Sequence, residues 1–291
     1  MTRNRALAVL NLLVVFAVVA WNGWTSANGF RGRTVGGMSA EYRTLFTPAG
    51  YAFSIWGLIF FGLLLNGGYQ LWVAIRAPAE GPPEPSYRAT LFERLGPWLI
   101  VTNLANILWV VLWLSEYTAA SVVTLATMVA CLTRAMWRLD MATWDAPFEV
   151  ISFVWWPLVT YAGWCAVAVL ANLSAYLAKE GWVSGDSVAW STAMVAVATG
   201  YNLFLIWRRN LREHALVAVW ALVAIASRQA EGDRTVHAVA LAAAVILGVT
   251  IVIHAYLNRH TLSLWRRFRA RHARPDRAAE SSSSRKRRRT G

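Results

Sequence analysis

The sequence predicts an all-α integral membrane protein with about eight transmembrane helices, and two observations support this fold class. First, 57% of the 291 residues are hydrophobic and only 15% are charged. Second, the apolar residues are gathered into runs of about 20, the length that a helix needs to cross a bilayer with each backbone amide bonded within its own segment. A soluble core of this size would not need such runs.

The predicted spans follow one another along most of the chain. We place them at 6–22, 50–75, 97–114, 119–136, 150–177, 188–207, 215–227 and 236–257. The seventh is short and rich in small residues, so it is the least typical of a spanning helix.

Arginines in the short connections predict the orientation of the bundle. Arg3 and Arg5 precede the first span, Arg208 and Arg209 follow the sixth, and Arg259 follows the last. With eight spans these positions lie on one side. We therefore expect both termini to be cytoplasmic and the protein to lie in the plasma (inner) membrane, with membrane lipids as partners.

The ends of the chain differ from the spans. The loop at 28–48 is rich in glycine and long enough to form a partial cap over the outer face. Residues 261–291 lack apolar periodicity and are strongly basic, which predicts a disordered cytoplasmic tail beside the anionic leaflet. Although the net charge is +13, the basic residues lie in loops and this tail, so nucleic-acid binding is not expected.

The sequence contains no recognisable catalytic constellation. The patterns HExxH and GxSxG, a P-loop and zinc-ligand spacing are all absent, and Cys131 and Cys165 lie inside apolar runs. Ionisable residues are nearly missing from the interiors of the second to sixth spans, which argues against an ion-coupled transporter.

Tryptophan is the distinctive residue of this chain, with 17 copies. Those near the ends of spans are typical of an interfacial aromatic belt. In the third span, however, Asn106, Trp109 and Trp113 fall within an arc of about 60° on a helix. An amide facing lipid would be costly, so this face should point into the bundle.

The fifth span repeats the pattern. Its residues Tyr161, Trp164, Ala168 and Asn172 share an arc of about 80°. Two interpretations stay open at this point: helix packing through small residues and hydrogen-bonded amides, or an apolar pocket walled by indoles with a few polar groups, suited to a flat hydrophobic ligand.

Three segments resemble the TspO/translocator protein family, the tryptophan-rich sensory proteins once called peripheral benzodiazepine receptors. The stretch PAGYAFSIWGLIF is similar to the family's first helix, with Trp56 and, four residues later, Phe60 in place of Tyr. The third span has the family's Asn-x-x-Trp at Asn106 and Trp109. The fifth has its Tyr-x-x-Trp-x-x-x-Ala-x-x-x-Asn pattern, although Thr160 stands where the family has Pro.

The resemblance implies a five-helix TspO-like core at 46–210, preceded by a helix and outer loop at 1–45 and followed by two further helices at 211–260. It implies a binding or sensory protein for planar hydrophobic ligands such as porphyrins or other tetrapyrroles, with a porphyrin or haem-like molecule as ligand and no covalent cofactor. The ligand-binding residues that it implies are Trp56, Phe60, Asn106, Trp109, Tyr161, Trp164 and Asn172. A transporter of small hydrophobic molecules, a membrane enzyme acting on lipid or tetrapyrrole, and a homodimer remain open alternatives.

Overall fold

The computed structural model describes residues 3–76, 91–92, 94–143 and 146–258, and within them the protein is built of helices. The predicted basic tail lies outside the described residues. We number the main helices as α1 Arg3–Asn28, α2 Val35–Glu41, α3 Ile55–Arg76, α4 Trp98–Leu114, α5 Thr118–Arg138, α6 Trp156–Lys179, α7 Val188–Arg209, α8 Arg212–Arg228 and α9 Arg234–Leu257.

Six helical segments of the described residues are long and apolar enough to cross a membrane, and the chain is therefore an all-α integral membrane protein. These segments are Arg3–Asn28, Gly50–Arg76, Thr118–Arg138, Phe148–Lys179, Val188–Arg209 and Arg234–Leu257. Trp98–Leu114 is a shorter apolar helix. The predicted seventh span is a helix, α8, but its 17 residues are not among the six, so that a count of eight stays a prediction.

The first helix packs against two helices of the bundle. It contacts both α3 and α4. Asn11 of α1 donates a hydrogen bond to Gln70 of α3 at 3.0 Å, and Asn22 donates one to Asn106 of α4 at 2.8 Å. Because buried amides need partners, the polar face of α1 is held between these two helices.

The fifth predicted span begins earlier than expected and contains a turn that the apolar pattern did not predict. Helical structure starts at Phe148 and passes through a π-helical turn, Ile151–Trp155, before α6. Pro157 has no N–H to offer the carbonyl of Phe153 four residues earlier. Asn66 of α3 donates to that carbonyl instead, at 2.7 Å.

The last helix pair consists of α8 and α9. In this pair α8 packs against α6, and α9 packs against α7. At Gly163 of α6 an added Cβ would lie 2.9 Å from the backbone oxygen of His214 and from the Cβ of Val217, both on α8. Only a glycine allows α6 and α8 to approach this closely.

The long loop between α1 and α3 crosses one end of the bundle and carries α2. Near α2, the indole of Trp113 in α4 points at the carbonyl of Val35, 3.5 Å away. At its other end the loop is bonded to the α8–α9 turn, where Gln229 donates to the Leu45 carbonyl at 3.0 Å. The loop therefore reaches from α4 to the last helix pair.

Candidate functional site

Trp56 lies at the centre of an aromatic cluster formed by α3, α4 and α6. Its indole is stacked on Phe60 with ring centroids 5.3 Å apart, and on Trp109 with centroids 6.1 Å apart and planes inclined by 29°. Tyr161 and Trp164 meet it edge-on, at 6.0 and 6.2 Å. Stacked and edge-to-face contacts are the arrangements that aromatic quadrupoles favour, so the cluster fixes the orientation of Trp56.

Asn172 holds the second indole of the cluster in place. The Nε1 of Trp109 donates to the Oδ1 of Asn172 at 3.1 Å, and the Oγ of Ser121 donates to the same oxygen at 3.0 Å. An indole N–H inside a bilayer needs such an acceptor. Asn172 of α6 therefore orients the indole of Trp109 on α4.

Asn106 is fully buried between α1 and α6. Its Oδ1 accepts from Asn22, and the Tyr161 hydroxyl faces its side chain without a well-aligned hydrogen bond. The other amide hydrogen of Asn22 is donated to the Val18 carbonyl at 2.9 Å. The side-chain oxygen of Asn22 is thus the atom that remains to accept a hydrogen bond from a ligand.

A cavity of about 220 Å³ adjoins this cluster beneath α2. One wall is aromatic and consists of Phe53, Trp56, Phe60 and Trp109. The remaining lining comes from α1 and the start of α2, namely Asn22, Ser26, Thr34, Val35 and Gly36. Since Ser26, Thr34 and Gly36 are exposed, they form the mouth of the cavity. A planar apolar ring with one polar edge matches this division of the walls.

Charged side chains fasten the α2 segment to the rest of the bundle. Glu116, in the α4–α5 turn, accepts a hydrogen bond from the hydroxyl of Tyr42 at 2.6 Å and pairs with Arg33. Lys179, at the end of α6, lies 3.6 Å from the same carboxylate and donates to the Glu116 backbone oxygen at 2.8 Å. We call these four side chains, Arg33, Tyr42, Glu116 and Lys179, the outer latch.

The latch alters the ionisation of its own members. The hydrogen bond from Tyr42 lowers the pKa of Glu116, and the charges of Arg33 and Lys179 lower it further. The hydrogen bond to Glu116 raises the pKa of Tyr42 to about 12. At neutral pH the latch therefore consists of a carboxylate, a neutral phenol and two cations.

The structure places the predicted site residues in two layers. Trp56, Phe60 and Trp109 line the cavity, whereas Asn106, Tyr161, Trp164 and Asn172 lie behind them and do not line it. The sequence-based prediction that the stripes on α4 and α6 face inward is confirmed, because Asn106, Trp109, Tyr161, Trp164 and Asn172 are all buried.

The contribution of α1 to the cavity was not predicted from the sequence. Asn22 and Ser26 line the cavity, although the first span was predicted to lie outside the core. A signal was present in the sequence: Asn11 and Asn22 are 11 residues apart, which places them about 20° apart on a helix. Two amides on one face of a spanning helix indicate that this face is buried in protein.

The described residues offer no group of three or more His, Cys, Asp and Glu side chains that could hold a metal ion. The side chains that line the cavity offer stacking on indoles and hydrogen bonding to amide and hydroxyl groups.

Comparison with known proteins places the chain in a family. The family model described as TSPO-like protein matches residues 8–253, from the first turns of α1 to the last turn of α9. No curated protein and no solved structure matches the chain. Because the match covers most of the sequence, this chain belongs to the family of TSPO-like proteins.

Proposed function

We propose that this protein is a membrane-embedded binding and sensory protein for planar hydrophobic ligands, and that the ligand enters the cavity beneath α2. The observation that carries the proposal is the pair of stacked indoles, Trp56 and Trp109, at the wall of a cavity whose mouth is polar. Indole faces bind flat π-systems, and a nearby amide oxygen can orient a ligand N–H or O–H group.

Porphyrins are the ligand class that the family resemblance implies, and the size of the cavity limits how one would bind. A cavity of about 220 Å³ is smaller than the roughly 300–1,000 Å³ of sites that enclose drug-sized molecules. A tetrapyrrole would therefore insert one edge against Trp56 and Trp109 and would displace α2 or project through the mouth. A molecule of two fused rings would fit without displacement.

The interior behind the cavity supports binding over passage through the membrane. Asn106, Tyr161 and Trp164 fill the space behind Trp56 and are buried. A ligand that crossed the bundle at this point would have to separate these packed side chains. We therefore favour a binding and sensory role over transport.

The test is a titration of the purified protein in detergent with protoporphyrin, followed by the absorbance of the porphyrin. Replacing Trp56 or Trp109 by Leu should weaken binding about tenfold, because each change removes a stacking face. The matched control is Trp182→Leu, since Trp182 is 70% exposed and lies away from the cavity. Equal affinity in all four proteins would contradict the proposal, and flux of porphyrin into liposomes would favour the transporter.

A further inference from the structure

A second and larger cavity lies on the side of the bundle. It is a groove of about 580 Å³ between α3, α6 and α8, and none of the predicted site residues lines it. Its rim carries Leu58, Phe61 and Leu216, which are 62%, 60% and 60% exposed. In a membrane protein such side chains meet lipid, so the groove opens towards the hydrocarbon of the bilayer.

The groove exists because two helices approach α6 closely without filling the space between them. A Cβ added at Gly62 of α3 would lie 3.3 Å from the Cβ of Pro157, and one at Gly163 would lie 2.9 Å from α8. Thr160 lies between these two contacts and lines the groove. The width of the groove is therefore fixed by the close approach of α3 to α6 on one side and of α8 to α6 on the other.

One end of the groove is polar. A small cavity of about 60 Å³ adjoins it, and Trp156 and Glu213 line both. In this small cavity the Oδ1 of Asn210 and the Nε of Arg212 are buried, and neither has a hydrogen-bond partner in the described part of the chain. Buried polar atoms normally have a partner, so these two atoms are available to a group from outside the chain.

The beginning of α8 adds to the charge at this end. Leu211, the residue before the helix, supplies no side-chain cap to the free N–H groups of the first turn. The positive end of a helix beside an arginine attracts phosphate. Glu213 also lies in this first turn and has no ion pair with any described residue, which leaves a carboxylate available for an ammonium group.

We propose that the groove binds one hydrocarbon chain of a phospholipid with an amine head group, with the phosphate at Arg212 and the ammonium at Glu213. The apolar part of the groove has a suitable length. From Ile55 to Leu65, both of which line it, α3 rises about 15 Å, which equals one leaflet of a hydrocarbon core about 30 Å thick. The head group then lies at the arginine-rich end of the bundle, beside Arg208 and Arg209.

The chemistry of the polar end distinguishes among lipids. Phosphatidylethanolamine carries both a phosphate and a hydrogen-bonding ammonium, and it satisfies Arg212 and Glu213 together. Phosphatidylglycerol has no cation, so it leaves the Glu213 carboxylate unpaired beside its own phosphate. This site is separate from the aromatic cavity, so a failure of one proposal leaves the other standing.

The experiment measures lipid retention by native mass spectrometry of the full chain, after exchange into detergent with equal amounts of phosphatidylethanolamine and phosphatidylglycerol. We expect the wild type to retain phosphatidylethanolamine about tenfold better. Glu213→Gln should abolish the preference, and Leu216→Trp, which places an indole in the groove, should lower retention of both lipids. Glu180→Gln, an exposed change at the opposite end, should behave as wild type.

Three results would overturn the proposal: equal retention of the two lipids by the wild type, an undiminished preference in Glu213→Gln, or full retention in Leu216→Trp. Thermal unfolding of each variant without added lipid checks that the fold is intact. Leu216 is mostly exposed, so its replacement is not expected to disturb the core.

Discussion

The side-chain amide of Asn66 donates a hydrogen bond to the backbone carbonyl of Phe153 at 2.7 Å, where Pro157 has removed the helical donor. Asn66 also takes part in further hydrogen bonds inside the bundle. Gln70 donates to the Oδ1 of Asn66 at 2.7 Å and accepts from Asn11 at 3.0 Å. A single chain of amides thus joins α1 and α3 to the π-helical turn before α6.

Replacing Asn66 by Leu should destabilise the protein by about 1–2 kcal/mol, because it leaves both the Phe153 carbonyl and the Gln70 amide unpaired inside the bundle. Thermal or denaturant unfolding in detergent measures the change. Asn28→Ala is the control, since the Asn28 amide only bonds Trp24 of its own helix at an exposed position. Equal stability of the two variants would show that the amide chain contributes little.

Gly163→Ala should destabilise by about 1–3 kcal/mol, because the new methyl group would lie 2.9 Å from a backbone oxygen of α8, and helices cannot separate without losing contacts. Gly200→Ala in α7 is the matched change, with no atom within 4 Å of its Cβ. It should be stabilising by about 0.5–1 kcal/mol, as expected for Ala over Gly in a helix. Unfolding measurements on the pair test the close approach of α6 and α8, and two changes of the same sign would contradict it.

Asn22→Ala should weaken protoporphyrin binding about tenfold, because it removes the amide oxygen at the cavity and frees Asn106 from its partner. Asn11→Ala, on the same face of α1, removes the bond to Gln70 but does not touch the cavity. Both variants should lose stability, and only the first should lose affinity. A loss of affinity in Asn11→Ala as large as that in Asn22→Ala would assign the effect to general loosening of α1.

The outer latch should weaken in acid. The folded pKa of Glu116 is lowered, so its stabilising contribution is complete above the ordinary glutamate value of about 4.3 and is lost as the pH falls through the folded pKa. The protection factors for hydrogen exchange of residues 35–41, which are corrected for the pH dependence of the intrinsic rate, should therefore fall at acidic pH. Glu116→Gln should show the lower protection already at neutral pH and lose this acid dependence, while Glu180→Gln should retain the wild-type profile. An acid response unchanged in Glu116→Gln would assign it to another group.

The sequence predicted the helices and their buried faces more completely than it predicted their neighbours. Long apolar runs located the spans because the bilayer sets the length of a helix. The amide and indole stripe at Asn106 and Trp109 was predicted to face inward because an amide exposed to lipid is costly, and both residues are buried. Periodicity identifies the face of a helix that is buried, but it does not identify the helix that covers it.

The parts that were not predicted depend on contacts between distant segments. That Asn22 would meet Asn106 depends on α1 packing beside α4, 84 residues away in the chain. The hydrogen bond that Asn66 of α3 donates to the Phe153 carbonyl in the π-helical turn likewise joins distant segments. The apolar pattern of the fifth span does not reveal that Asn66 is the donor. Pro157 indicates only which backbone carbonyl lacks its usual helical partner.

The loop between α1 and α3 has a mechanical consequence. It is bonded to α4 near Val35, to the α6–α7 turn through Leu45 and Gly185 at 3.0 Å, and to α8 through Ala49 and Ala224 at 3.0 Å. It therefore acts as a tether across the mouth of the cavity. If α2 moved aside to admit a large ligand, as the proposed function allows for a porphyrin, the hydrogen bonds of Leu45 and Ala49 would carry the displacement to the α6–α7 turn and to α8.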